Sequence, residues 1–154
     1  YKTAKLFEAA AQLGAILGRA APDVETALAD YGMHLGTAFQ LVDDVLDYSG
    51  HEADTGKHLG DDLAEGKPTL PLIYVMQHGT PEQAGCVRRA IEEGGRDDFV
   101  AVLDAIHATD ALGHARRQAG LEAERAREAI QCLRDTNYRE ALLQLTLFAV
   151  ERNH

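Results

Sequence analysis

Phe39-Gln40-Leu41-Val42-Asp43-Asp44-Val45-Leu46-Asp47 is the stretch on which the reading of this chain turns. It lacks the strict apolar–polar alternation of a half-buried strand, and it continues a helical pattern. On a helix, Asp43 and Asp47 stand one turn apart on the same face. Asp44 lies about 100° round from Asp43, and Gln40 precedes both by one turn. The flanking Phe39, Leu41, Val42, Val45 and Leu46 are those of a buried segment. Three carboxylates in five positions of such a helix are electrostatically unfavourable unless something positive binds there. Mg²⁺ suits the site, because it takes a few carboxylates together with waters and phosphate oxygens. A solvated acidic helix end is the other reading of this pattern by itself.

Helical patterning extends in both directions, with Ala, Leu, Glu, Gln and Arg dominant and β-branched alternation absent. Residues 2–20 read as a helix whose apolar stripe is Leu6, Phe7, Ala10, Leu13, Ile16 and Leu17. Pro22-Asp23 restarts the chain, with Asp23 as N-cap, and a long helix runs to about Tyr48. Gly32 and Gly36 weaken its middle. Further helices are expected at about 70–78, from Thr80-Pro81-Glu82-Gln83 to Glu93, and from Asp97, where Phe99, Val100, Val102, Leu103 and Ile106 form the core face. Thr80 followed by Pro81 and Gln83 is a capping signature. The last two helices are expected over about 110–134 and beyond Asp135-Thr136. The pattern predicts an all-α fold, an antiparallel helical bundle.

Residues 49–68 break the pattern. Four glycines and Pro68 stand there among charged residues, including Lys57, Asp61, Asp62 and Lys67. Long polar loops in compact domains are usually functional or disordered. Acids suited to Mg²⁺, lysines suited to diphosphate oxygens, and glycines that let backbone N–H groups approach a phosphate together suggest a phosphorylated ligand held through metal.

Composition sets the outer limits. A length of 154 residues suits one domain. With 15 Lys and Arg against 25 Asp and Glu, the formal net charge is −10. That balance argues against nucleic acid as a partner and against an anionic membrane surface. No apolar run approaches the ~20 residues needed to span a bilayer, and the N-terminal residues do not form a signal peptide. Cys86 and Cys132 read as reduced, partly buried thiols of a cytoplasmic protein. Asp104/His107 and Asp110/His114 have helical metal spacing, but nothing else converges on them.

Phe39-Gln40-x-x-Asp43-Asp44-x-x-Asp47, followed by Gly56-Lys57-x-x-Gly60-Asp61-Asp62-Leu63-x-Glu65-Gly66-Lys67-Pro68-Thr69-Leu70-Pro71-Leu72, resembles the second aspartate-rich region of the trans-isoprenyl diphosphate synthases. Lys2-Thr3-Ala4-x-Leu6-Phe7 resembles that family's Lys-Thr motif, and the chain is most similar to bacterial members that form an octaprenyl product. The resemblance implies the isoprenoid synthase type of helical bundle. It implies elongation of an allylic diphosphate by isopentenyl diphosphate, by way of an allylic carbocation, with Mg²⁺ as cofactor. By position, Asp43 is implied as a direct metal ligand, Asp44 and Asp47 as acting through hydrogen bonds or metal-bound waters, and Asp61 as support for the metal's water shell. Lys2, Lys57 and Lys67 are implied to hold the allylic diphosphate. Thr3, Gln40 and the Lys2 carbonyl are implied to aim negative dipole ends at the cation.

The family's first aspartate-rich motif and its Gly-Lys-Arg-x-Arg segment do not occur in the sequence. Residues 1–154 are therefore expected to be the C-terminal portion of one synthase domain, inactive alone and exposing apolar helix faces. The family also implies a homodimer. The competing reading is a non-catalytic helical regulatory or partner subunit, and the intact acids and Lys57 argue against it.

Overall fold

A computed structural model describes residues 2–49, 59–94 and 97–152. Among the described residues there are eight helices and no strand. They are α1 (Lys2–Leu17), α2 (Pro22–Ser49), α3 (Asp61–Ala64), α4 (Leu70–His78), α5 (Pro81–Glu93), α6 (Phe99–Ala108), α7 (Ala111–Ala129) and α8 (Asn137–Glu151). The all-α expectation holds. No described helix is long and apolar enough to cross a membrane.

The chain divides into two compact units. The first comprises residues up to Val42 and Gln118–Arg152, and the second comprises Asp43–Arg117. Each has its own core. In the first, Tyr31, Leu35, Ala126, Ile130 and Ala149 are buried, with Phe7, Ala11 and Leu142 packed against them. The buried Tyr31 hydroxyl donates to the Leu142 carbonyl at 2.8 Å. In the second, Tyr48, Leu63, Leu72, Val75, Val87, Val102 and Ile106 form the core, and helices α3 to α6 supply most of it.

Several local expectations are corrected. Gly32 and Gly36 are contact points between helices as well as weak helix formers. A Cβ on Gly36 would lie 2.8 Å from the Ala4 Cα, and one on Gly32 would collide with the Phe7 carbonyl, so α1 crosses α2 where side chains are absent. That crossing turns Phe7, Ala11 and Ala15 inward, whereas Leu6, Leu13, Ile16 and Leu17 face solvent. The predicted apolar stripe of α1 is therefore largely its outer side. Val100 is likewise exposed, because Val102, Ala105 and Ile106 take the inner face of α6.

Asp23 does not cap α2. The helix begins at Pro22, and Asp23 lies in its first turn, where a negative charge favours the helix dipole. Helix α7 stops at Ala129, and tighter bonds from Gln131 to Glu128 and from Leu133 to Ile130 finish it. Cys132 is exposed rather than partly buried, and both thiols are free. The start of α5 meets its expectation: the Thr80 hydroxyl accepts from the Gln83 amide at 3.3 Å, and the Thr80 amide donates to Gln83 Oε1 at 2.8 Å.

Candidate active site

The second unit joins the acids of α2 to those of α3. Where α2 ends, the Asp47 carbonyl accepts from the Gly60 amide at 3.0 Å. Asp47 Oδ2 accepts from the Asp62 amide at 3.2 Å. Gly60 makes this turn with φ of 77°, a left-handed conformation that suits glycine. A Cβ there would stand 2.5 Å from the Phe99 ring. Gly60 is thus required by backbone angle and by its packing on Phe99, which supplies a reason different from close approach to a phosphate. Phe99 stacks on Tyr48 at 6.5 Å between centroids, and Thr69 donates to the Tyr48 hydroxyl at 3.4 Å.

The electrostatics are those of crowded acids. Burial and then the Asp62 carboxylate push the half-buried Asp47 up to about 6, against amide hydrogen bonds that pull the other way. Burial raises the Tyr48 hydroxyl, and the carboxylates of Asp47, Asp62 and Asp44 raise it further. Asp44 is buried on the same helix. Lys67 reaches Asp62 Oδ1 at 2.8 Å and Glu65 Oε2 at 2.7 Å. These bonds raise the lysine above its ordinary range. Lys67 is thus paired with acids while its side chain stays half in solvent.

In the first unit, Thr3 Oγ1 donates to Gln40 Oε1 at 2.9 Å, so these two predicted residues meet across α1 and α2. Lys2 is exposed at the start of α1. Lys57 lies outside the described residues. Two participants were not assigned roles from sequence. Asp62 ties Asp47 to Lys67, and the Asp61-Asp62 pair was the visible signal for it. Arg152 stacks its guanidinium 3.7 Å from the centroid of the Phe39 ring and donates to the Phe39 carbonyl at 3.0 Å. No local pattern could link residues 113 positions apart.

Asp43, Asp44, Asp47 and Asp61 offer hard carboxylate oxygens, the donors that Mg²⁺ prefers. Asp47 is raised by burial first and by the Asp62 carboxylate second, so one like charge stands close beside it. In donor chemistry the residues fit a divalent cation. Among the described residues no three His, Cys, Asp or Glu side chains converge closely enough to hold one, so the coordination sphere is not closed. The Asp104/His107 and Asp110/His114 spacings gain no further ligands either. His114 stacks on Tyr74 at 4.2 Å, and Asp110 binds Arg117.

Comparison with known proteins follows the same residues. The sequence pattern described as polyprenyl synthetase matches residues 1–107. The chain is 54% identical to the octaprenyl diphosphate synthase of Escherichia coli K12, over 99% of its own length and 47% of that protein. It is 42% identical to an all-trans-nonaprenyl-diphosphate synthase of Rhodobacter capsulatus, over 98% of its length and 46% of that protein. Among solved structures it is similar to a polyprenyl synthase of Caulobacter crescentus complexed with calcium and isoprenyl diphosphate. The TM-score is 0.90 at 40% identity, over 99% of this chain and 47% of that one. The chain therefore spans about half the length of the relatives it matches.

Proposed function

This chain belongs to the polyprenyl synthetase family, and on that premise we propose that residues 1–154 are the C-terminal portion of a Mg²⁺-dependent prenyltransferase domain of the isoprenoid synthase fold. The reaction is elongation of an allylic diphosphate with isopentenyl diphosphate, and the product is octaprenyl diphosphate, as for a quinone side chain. The observation that carries this reading is the bond from the Asp62 amide to Asp47, which joins two acid motifs in one unit beside Lys67.

Asp43, Asp44, Asp47 and Asp61 would hold the Mg²⁺. When bound, the metal supplies positive charge that stabilises the diphosphate as a leaving group. Lys2, Lys57 and Lys67 bind the allylic diphosphate. For Lys67 this means exchanging Asp62 and Glu65 for diphosphate oxygens, which its half-exposed side chain permits. Thr3 gives its proton to Gln40, so its own lone pairs stay available. Together with the Lys2 carbonyl, these groups aim negative dipole ends at an allylic cation and stabilise charge as it develops. The whole enzyme acts as a cytoplasmic homodimer, and this chain alone is inactive.

The test is product formation from farnesyl and isopentenyl diphosphates with Mg²⁺. The assay compares this chain with a hybrid Escherichia coli octaprenyl diphosphate synthase that carries the chain in place of its matched residues. The hybrid is expected to turn over and the chain alone is not. Asp43→Asn lowers kcat of the hybrid by at least ~100-fold, as for loss of a principal charge-stabilising group. A folded hybrid without turnover sinks the catalytic reading, and robust turnover by the chain alone sinks the partial-domain reading.

A further inference from the structure

Asp62-Leu63-Ala64-Glu65-Gly66-Lys67-Pro68 ends α3 in a turn that sets a lysine against an acid. The Gly66 amide donates to the Leu63 carbonyl and the Lys67 amide to the Asp62 carbonyl, both at 2.9 Å. Gly66 has φ of 69°, and a Cβ on it would lie 2.8 Å from the Ile91 carbonyl oxygen. These are the two bonds and the left-handed glycine of a Schellman motif, with Pro68 directly after it. In that motif the residue after the glycine meets the third residue from the helix end, ordinarily as an apolar pair. Here the two are Lys67 and Asp62, and Lys67 Nζ stands 2.8 Å from Asp62 Oδ1. Leu63, fully buried between them in sequence, anchors the turn in the core of the second unit. The backbone therefore places Lys67 beside Asp62.

The two acids that hold Lys67 are unequal. The Asp62 side chain is 16% exposed and that of Glu65 is 63% exposed. Asp62 is also fixed at its backbone, since its amide donates to Asp47 Oδ2 at 3.2 Å. Glu65 reaches Lys67 at 2.7 Å from solvent, where an ion pair is worth little. A shielded carboxylate loses more than an exposed one when its cation leaves. Two carboxylates around one ammonium offer it what a diphosphate offers, anionic oxygens at hydrogen-bond distance. We propose that Asp62 is a positioning residue that holds Lys67 at rest and competes with the diphosphate for it, with Glu65 as the weaker competitor. The proposal rests on the reading above that Lys67 binds the diphosphate, and it fixes the sign of a substitution. Were Asp62 a plain support for Lys67, removing its charge would weaken diphosphate binding. As a competitor, its loss tightens binding. The same competition helps inorganic pyrophosphate to leave, because Asp62 takes the ammonium back.

The probe is inorganic pyrophosphate, titrated calorimetrically into the Escherichia coli hybrid at fixed Mg²⁺. Asp62→Asn is expected to tighten binding about fivefold, and Glu65→Gln by no more than about twofold. Lys67→Ala weakens it. Loss of any nearby negative charge favours an anion, so a double-mutant cycle decides. With Lys67→Ala already in place, Asp62→Asn is expected to change the affinity by less than about 1.5-fold. Steady-state kinetics give a second readout: Asp62→Asn lowers KM for farnesyl diphosphate and strengthens inhibition by pyrophosphate, with no rise in kcat. Equal or weaker binding by Asp62→Asn overturns the proposal. So does tightening that persists in full without Lys67, which assigns the effect to the general field of the acids. Loss of helicity in Asp62→Asn overturns it too, by making Asp62 a structural residue. If Lys67→Ala leaves pyrophosphate binding unchanged, the diphosphate role of Lys67 falls and the proposal with it. A hybrid that gives the expected cycle yet makes no product keeps the competition and removes the catalytic reading.

Discussion

Asp47 is the residue at which stability and function pull in opposite directions. Its carboxyl is raised from 3.8 to about 6, by burial first and by Asp62 second. A raised acid destabilises the folded state wherever it is ionised there. The penalty is full above pH ~6, shrinks as the pH falls through that value, and vanishes below the unfolded value near ~4. Stability should therefore rise on acidification across that window, by about 1 kcal/mol once solvent screening of the half-buried group is allowed for. Asp47→Asn should be the more stable protein at pH ~7.5 and should lose this slope; urea unfolding of both proteins at several pH values measures it. An unchanged slope would show that other groups set it. Tyr31 is a simpler case. Its buried hydroxyl, pushed up to about 12 by burial, donates to the Leu142 carbonyl and ties α2 to α8. Tyr31→Phe should cost about 1 kcal/mol in the same assay, the usual net worth of one such bond.

At the scale of elements, the sign of a glycine substitution depends on what faces the new methyl group. Gly14 in α1 has nothing within 4 Å of an added Cβ, whereas Gly36 in α2 would bring one to 2.8 Å from the Ala4 Cα. Gly14→Ala should stabilise by about 0.5–1 kcal/mol through helix propensity. Gly36→Ala should destabilise by about 1–2 kcal/mol, because overpacking against backbone outweighs the same propensity gain. Thermal midpoints of opposite shift check the pair. Thr80→Ala removes half of the box that caps α5 and should cost about 1 kcal/mol. That cap was legible in the sequence because its partners are three residues apart, and so was the Asp43–Asp47 face. The inner face of α1 was not. Both of its sides are apolar, so periodicity could not choose between them, and the choice was made by two glycines on another helix. The acid junction was legible in part: Asp61 and Asp62 stood out, but the turn that brings them to Asp47 depends on Gly60 and Phe99, which are 39 positions apart.

For the molecule as a whole, two hydrophobic cores form, one in each unit. The division between the units falls inside α2, at Val42 and Asp43, where unbroken helical patterning gives no sign of it. The net charge of −10 is carried unevenly, with Asp43, Asp44, Asp47, Asp61 and Asp62 all in the second unit. A chain so charged repels itself in the compact state, and at Asp47 the Asp62 carboxylate adds a local share of such repulsion to the larger effect of burial. A divalent cation bound to these acids in the folded state but not in the unfolded one must stabilise the protein by mass action. Mg²⁺ at about tenfold over its dissociation constant should contribute about 1.4 kcal/mol and raise the thermal midpoint by about 3–5 °C. Sodium chloride at matched ionic strength only screens, and should do less. The double substitution Asp43→Asn with Asp47→Asn separates the two effects, since it relieves repulsion and removes ligands together. It should start from a higher midpoint than the parent without Mg²⁺ and gain no more from Mg²⁺ than from sodium chloride. If the substituted chain gains as much from Mg²⁺ as the parent does, the cation acts elsewhere on the acidic surface and these aspartates are not its ligands.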